Sequence, residues 1–277
     1  MIRAAAAALL ATAAALAQAQ GNETFVYDPY VPTPQAIVER MLALAEVGAG
    51  DLVIDLGSGD GRVVITAARE FGARAIGVEI DRSLVAEAEA AARAQGVSDR
   101  VHFIARDLHE TDLREATVLT LYLLPETNRK LLPKILAEMP AGARVVSHRF
   151  LVGDWRPEAT LVVDVADDWT AVSKTRNVHL FRVPARVAGE WELTREGDAG
   201  TFRIRLRQNH QDIGGAAASG RETVALERAV LHGPDIRFVI PGAGPLAGDY
   251  AGSVDGNAMT GHLVGDGKAR WRAVRRP

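Results

Sequence analysis

Between Leu52 and His148 the chain alternates between short apolar runs and segments of helical period, and the first junction between them is almost bare of side chains. LVIDL (Leu52–Leu56), RAIGVEI (Arg74–Ile80), RVHFIA (Arg100–Ala105), ATVLTLYLL (Ala116–Leu124) and ARVVSH (Ala143–His148) read as strands. Arg62–Phe71, Ser83–Ala94 and a segment through Leu131, Leu132, Ile135 and Leu136 read as helices, with Ser83 capping the second and Gly96 ending it. Strands that are apolar along their whole length, and not only at every second residue, belong to sheets covered on both faces. The expected class is therefore α/β, with a doubly wound, mostly parallel sheet.

The flanks extend this unit. TPQAIVERMLALAEVG is expected to be a helix that Thr33 caps, that takes Pro34 at its first position and that stops at Gly48; Ile37, Met41, Leu44 and Val47 form its apolar stripe. Ala159–Ala166 and Asn177–Val183 have no helical segment between them and read as an antiparallel edge pair. After Pro184 the pattern changes. Gly200–Gln208 alternates strictly, with Phe202, Ile204 and Leu206 on one face and arginines on the other. Short strands are expected at Val224–Leu231, Asp235–Ile240, Gly248–Val254, Ala258–Val264 and Ala269–Val274, separated by glycine-rich turns, with Trp191 and Trp271 near the two ends. A small all-β barrel or sandwich fits this pattern. Within it, the polar RQNHQ (Arg207–Gln211) reads as a solvated turn, or else as the lining of a barrel mouth.

The N-terminus differs in kind. Arg3, the apolar stretch Ala4–Leu16 and the small residues of Ala17–Ala19 have the order of a secretory signal, and the apolar stretch is too short to span a bilayer. The expected organisation is a signal over 1–19, an α/β domain over 20–185 and a β domain over 186–277, with the mature protein periplasmic or extracellular and not integral to a membrane. A cytoplasmic protein follows if 1–19 is not a working signal. The absence of cysteine excludes disulfides, thiolate metal sites and cysteine nucleophiles, and the seven histidines are scattered without a metal-ligand spacing. A net charge of −3 gives no nucleic-acid footprint.

The glycine junction is D-x-G-x-G-x-G, formed by Asp55, Gly57, Gly59 and Gly61. Glycines there let backbone approach a ligand closely, and the following helix start offers free N–H groups. The third glycine of a dinucleotide fingerprint would fall at Arg62, and the Gly-Lys-Ser/Thr end of a P-loop is missing. An acid at the first position opposes a pyrophosphate but suits a cationic amino acid. S-adenosylmethionine carries an ammonium and a sulfonium and has no phosphate. Glu79, about twenty residues beyond the glycines, can accept from both ribose hydroxyls; Asp107 can take the adenine amino group; Ile80 and Leu108 can sandwich the base. Ser58 and Asp60 complete the loop, and Asp60 can alternatively cap the helix.

These residues together resemble the class I S-adenosylmethionine-dependent methyltransferases, over about Tyr30–Val183. The likeness implies a Rossmann-like sheet of seven strands. VPTP, DLGSGDGRVVITAA, GVEID and TLYLLP are most similar to the family of the mitochondrial ATP synthase c-subunit lysine methyltransferase and its bacterial relatives. That family implies a protein lysine as acceptor; the residues themselves allow a small amine or another nucleophile equally. The export signal and the β tail depart from the mitochondrial pattern.

The acceptor is expected above the end of the fourth strand. There Tyr122 either steers the nucleophile and walls a cation or is simply a packed tyrosine. His148 is either a general base or a hydrogen-bonded rim residue. Tyr27 and Tyr30 are candidate lid residues, and Asp154 and Trp155 candidate walls of the acceptor pocket. The competing reading is a non-catalytic envelope protein whose β domain binds the partner or ligand.

Overall fold

The computed structural model describes residues 30–164, 175–197, 200–219, 222–242 and 244–276. The signal and Tyr27 lie outside the described residues. Apart from Tyr30, the described residues belong to one compact unit, Val31–Pro277.

Helix α1 (Gln35–Leu44) precedes β1 (Leu52–Leu56), α2 (Arg62–Phe71), β2 (Arg74–Glu79), α3 (Arg82–Ala94), β3 (Val101–Ala105), β4 (Val118–Leu121), α4 (Pro125–Glu138), β5 (Arg144–His148), β6 (Ala159–Asp164) and β7 (Thr175–Arg182). These seven strands form one sheet in the order β3-β2-β1-β4-β5-β7-β6. All pairs are parallel except those made by β7, which runs against both β5 and β6. Burial on both faces follows the sequence. Val53 joins the core under α1 and α2, and its neighbour Ile54 joins the core under α4, with Leu121, Val145 and Phe181.

Several helix ends differ from expectation. Helix α1 stops at Leu44, not Gly48, because Glu46 takes the left-handed conformation (φ 51°) and Val47 N–H reaches back to Leu42 O at 3.0 Å. Thr33 does not cap α1: Pro34 holds that position, and the threonine hydroxyl is turned to the sheet edge. Helix α3 is capped by Asp81, whose Oδ1 accepts from Ser83 N at 2.8 Å, so Ser83 is the donor and not the cap. Asp81→Ala should lower the unfolding free energy by about 1 kcal/mol in urea titration; an unchanged midpoint would show that the cap is idle.

The remaining strands are β8 (Gly189–Arg195), β9 (Thr201–Asn209), β10 (Asp212–Ser219), β11 (Glu222–Ala225), β12 (Glu227–His232), β13 (Asp235–Ile240), β14 (Gly248–Asp255), β15 (Ala258–Leu263) and β16 (Asp266–Arg275). They form an antiparallel sheet that closes on itself, since β9 pairs with β10 as well as β8. Eight strands make the up-and-down barrel and β11 is a side strand on β10. The single strand expected over Val224–Leu231 is broken in two at Leu226, whose N–H donates to Gly215 O at 2.9 Å, and the second piece carries a bulge where Arg228 is left-handed (φ 47°) and the register shifts between Glu227 and Val230. Large side chains fill the interior. Phe238 stacks on Tyr250 at 5.0 Å, and Trp271 meets both edge-on at 5.8 Å.

The barrel docks on the amino edge of the sheet. Gly233, in the turn between β12 and β13, accepts from Ala185 N at 2.8 Å, and a Cβ on Gly142 would come within 3.3 Å of Pro234. Glu158 bridges Arg182 (2.8 Å) and His232 (3.2 Å), while Asp212 meets Arg156 at 2.7 Å. RQNHQ is neither a free turn nor a mouth lining. The Gln208 amide accepts from Val187 N and donates to Ala185 O, His210 faces Asp154 at 3.1 Å, and Gln211 donates to Arg156 O. Alternation along the strand shows which residues face out; it says nothing about another domain waiting there.

Candidate functional site

The strand order sets five chain-distant groups along one carboxyl edge: Asp107 after β3, Glu79 on β2, Asp55 and its glycines at β1, Tyr122 after β4 and His148 on β5. In doubly wound sheets the ligand crevice opens where the strand order reverses, which is here between β1 and β4.

The glycine loop is built around Glu79. Gly57 N and Ser58 N both donate to Val78 O, at 2.8 and 3.0 Å. The Glu79 carboxylate then accepts from Gly59 N at 3.0 Å and from Ile80 N and Asp81 N at 2.8 and 3.0 Å. Three of its roughly four acceptor positions are thus taken by backbone, and the remainder faces the crevice. Gly57, Gly59 and Gly61 all have positive φ, 79°, 52° and 78°. A Cβ on Gly57 would lie 2.9 Å from Leu123, and one on Gly61 2.6 Å from the Phe103 ring.

Asp55 is buried, and Thr120 Oγ1 donates to it at 2.6 Å across the β1–β4 pairing. Burial pushes its carboxyl up to about 7, with the neighbouring charges of Glu79 and Asp60 adding repulsion. Asp60 serves the helix start from two residues before it: it accepts from Arg62 N at 3.2 Å and grips the Arg62 guanidinium at 2.6 Å. The same guanidinium donates to Thr33 O at 2.9 Å, which holds the VPTP lead against this edge. Asp107 is half-buried and accepts from His109 N, capping the single 3-10 turn Leu108–Glu110. Ile80 is exposed beside Glu79.

His148 is fully buried, its ring centroid 4.0 Å from that of Tyr122 and its Nδ1 3.4 Å from Thr33 Oγ1. Its Nε2 has no hydrogen-bond partner. Desolvation, helped by Arg176 and Arg149, lowers its pKa to about 4. It is therefore neutral at pH 7 and a weak base, which counts against the general-base reading, and its full burial sets it below the rim and not on it. Asp154 and Trp155 do not line an acceptor pocket. Trp155 is buried on Phe181 at 4.9 Å, and Asp154 points at the barrel. Tyr30 is the first described residue and is exposed. Thr120 and Arg62 are residues beside the site that sequence reading missed, and Thr33 was read only as a helix cap. Thr120 had a signal, as a polar residue inside an apolar strand level with Asp55.

Among the described residues no lysine or arginine pairs with Asp55 or Glu79. Two buried acids without a cation, a loop with no side chains and the unpartnered Ser58 Oγ fit a cationic nucleoside better than a phosphate.

The comparisons with known proteins agree. The ANTKMT methyltransferase domain model matches residues 55–159. A protein-lysine N-methyltransferase of Saccharolobus islandicus is 44% identical over 137 residues, covering 49% of this chain and 85% of the relative. The chain belongs to the ANTKMT methyltransferase family. This methyltransferase is also 40% identical over 134 residues to the adenine nucleotide translocase lysine N-methyltransferase of Mus musculus, spanning 48% of its own chain and 58% of that relative. Among solved structures, an RNA methyltransferase from Salinibacter ruber bound to S-adenosyl-L-homocysteine is 46% identical with a TM-score of 0.51, over 57% of this chain and 96% of that one. The chain is thus a class I S-adenosylmethionine-dependent methyltransferase. The matched family domain ends before the barrel begins.

Proposed function

We propose that this methyltransferase modifies the side-chain amine of a protein lysine. The observation that carries the reading is an edge lined by acids and closed by an apolar-aromatic wall, in a chain similar to a protein-lysine methyltransferase. Asp55, Glu79 and Asp107 oppose a polyanion such as RNA, and they draw in a cationic side chain. Tyr122, Leu123 and Leu124 form the wall past which the lysine must travel, and desolvation there favours its neutral, nucleophilic form.

S-adenosylmethionine supplies a methyl group activated on a positively charged sulfur with a good leaving group, so the chain has mainly to position the reactants. Asp55 holds the ammonium end, Glu79 the ribose hydroxyls, and Asp107 with Ile80 and Leu108 the base. The lysine nitrogen gives its lone pair to the methyl carbon as the carbon–sulfur bond breaks. The proton that the amine must first lose goes to water, because His148 is too weak a base to hold it. The rate should therefore climb with pH through 6 to 9 as free amine accumulates. His148→Gln should leave the rate and that profile unchanged; a rate that falls about a hundredfold in the variant, with the pH dependence of the parent altered, would overturn the assignment.

The acceptor class is tested by transfer of radiolabelled methyl to cell-envelope extract. Label that is lost on protease digestion, kept on RNase digestion and recovered as methyllysine after hydrolysis is expected. RNase-sensitive label would refute the reading, and no label at all would favour the binding-protein alternative. The filled barrel interior counts against that alternative. Residues 1–19 are proposed to direct export, giving a mature N-terminus at Gln20; an uncut N-terminus in a cytosolic fraction would reverse this.

A further inference from the structure

One strained residue at the carboxyl edge has no part in the chemistry so far. Arg149 follows directly on β5 and takes the left-handed conformation, with φ 71°. A side chain is disfavoured there, and such strain persists only where the surroundings over-determine it. Here they do. Arg149 N donates to Asn177 O at 2.6 Å, and Phe150 N donates to His148 O at 2.9 Å. His179 Nε2 lies 3.4 Å from Arg149 O, with its Nδ1 2.9 Å from Thr160 Oγ1. Ser147 Oγ donates to Phe150 O at 2.7 Å, and the amide of the buried Asn128 donates to Leu151 O at 3.2 Å. The turn Arg149–Leu151 is thus fastened to β5, to β7 and to α4.

What this turn presents is a cation. Arg149 is exposed, its guanidinium lies over the Phe150 ring at 5.1 Å, and it makes no ion pair among the described residues. A guanidinium held on a ring keeps its N–H donors available at the edge. The acids of the neighbouring elements are placed elsewhere. Glu126 on α4 is paired with Arg129 at 2.6 Å, Asp154 faces His210, and Glu158 faces Arg182 and His232. Asp164 ends β6 level with Thr175, on the far side of β7 and two residues beyond Asn177. Arg149 and Arg176 both act on His148 as positive neighbours. Charge is therefore sorted along the carboxyl edge, with Asp55, Glu79 and Asp107 on the β1–β3 side and an open cation after β5.

We propose, on the lysine reading above, that Arg149 selects the methyl acceptor by binding a carboxylate on the substrate chain about three residues from the modified lysine. The fork of an arginine matches a carboxylate with two parallel hydrogen bonds. The lysine must enter at the crevice between β1 and β4, and β5 lies two strands from β1. That is roughly 10 Å, which extended chain covers in about three residues. A glutamine at that distance gains less from the guanidinium, and an arginine is repelled. Glycine would adopt φ 71° without strain, so the side chain, and not the turn, is the reason for an arginine here.

The test is a synthetic peptide library with one central lysine and four flanking positions on each side, each drawn from alanine, glutamine, glutamate and arginine. It is incubated with the full chain and S-adenosylmethionine, and the methyllysine products are sequenced by mass spectrometry. Glutamate should be enriched about tenfold or more over glutamine at a position two to four residues from the lysine. Arg149→Gly, which keeps the turn, should lose that enrichment, and Arg149→Glu should replace it with enrichment of arginine at the same position. S-adenosylmethionine affinity by calorimetry should match the parent in both variants, showing that they fold. Methyllysine formed without preference for glutamate, or with the same preference in the variants as in the parent, overturns the role of Arg149 and leaves the lysine acceptor standing. No methyllysine from any peptide overturns both.

Discussion

Asp55→Asn makes the free protein more stable at pH 7.5 and weakens S-adenosylmethionine binding about a hundredfold. The opposite signs come from one cause. Asp55 is buried beside Glu79 and Asp60 with only a threonine hydroxyl bonded to it, and its carboxyl is raised from 3.8 to about 7. The fold therefore holds a proton that the unfolded chain releases. Stability is highest below pH 4, declines as pH rises from about 4 to 7, and carries the full penalty above that, about 4 kcal/mol for such a shift. Asparagine keeps the shape and the Thr120 bond and removes the pH dependence. It also removes the charge that a cationic ligand needs, and losing one member of a buried charge pair costs about 2–5 kcal/mol. Urea unfolding at pH 5 and 7.5, with calorimetric titration of the cofactor, checks both. A variant that is less stable at pH 7.5, or that binds as the parent does, would remove Asp55 from the site.

Gly61→Val should be the most damaging single change in the loop. Its φ of 78° costs a side chain about 1–2 kcal/mol, and its Cβ would lie 2.6 Å from Phe103 and 2.9 Å from Ala88, which adds about 1–3 kcal/mol of overpacking. A loss of about 3 kcal/mol or more in urea, with no measurable cofactor binding, is expected. Gly96→Ala supplies the comparison. Gly96 has a similar φ of 70° with nothing within 4 Å of the added carbon, so only the conformational part remains, about 1 kcal/mol. Equal losses at the two positions would show that the Phe103 contact is unimportant.

The sheet was readable because burial on both faces leaves uninterrupted apolar runs, and Arg62–Phe71 was bounded correctly because Gly61 and Gly72 are both left-handed glycines. Helix α1 was overrun because Glu46, a residue with no sequence mark for that conformation, makes the left-handed stop. At the site, the three acids and the glycines stand out by spacing alone. The further task of Glu79, tying Gly59 to the second strand, was hidden because it depends on backbone N–H groups twenty residues away. His148 was legible as the end of a strand, but not as a neutral ring, since its protonation depends on burial. The polar run at Arg207–Gln211 was misread for a related reason: its partners, Asp154, Arg156 and Ala185, belong to the other domain.

Attachment of the barrel to the amino edge has a geometric corollary. Strand β5 is five residues long, so anything tethered on the barrel must extend past roughly 17 Å of sheet before it reaches the opposite rim. A target held on the barrel would have to bridge that distance to present its modified residue at the rim, which a pliable stretch of chain does readily. For such a target the tether raises local concentration without crowding the rim where product departs.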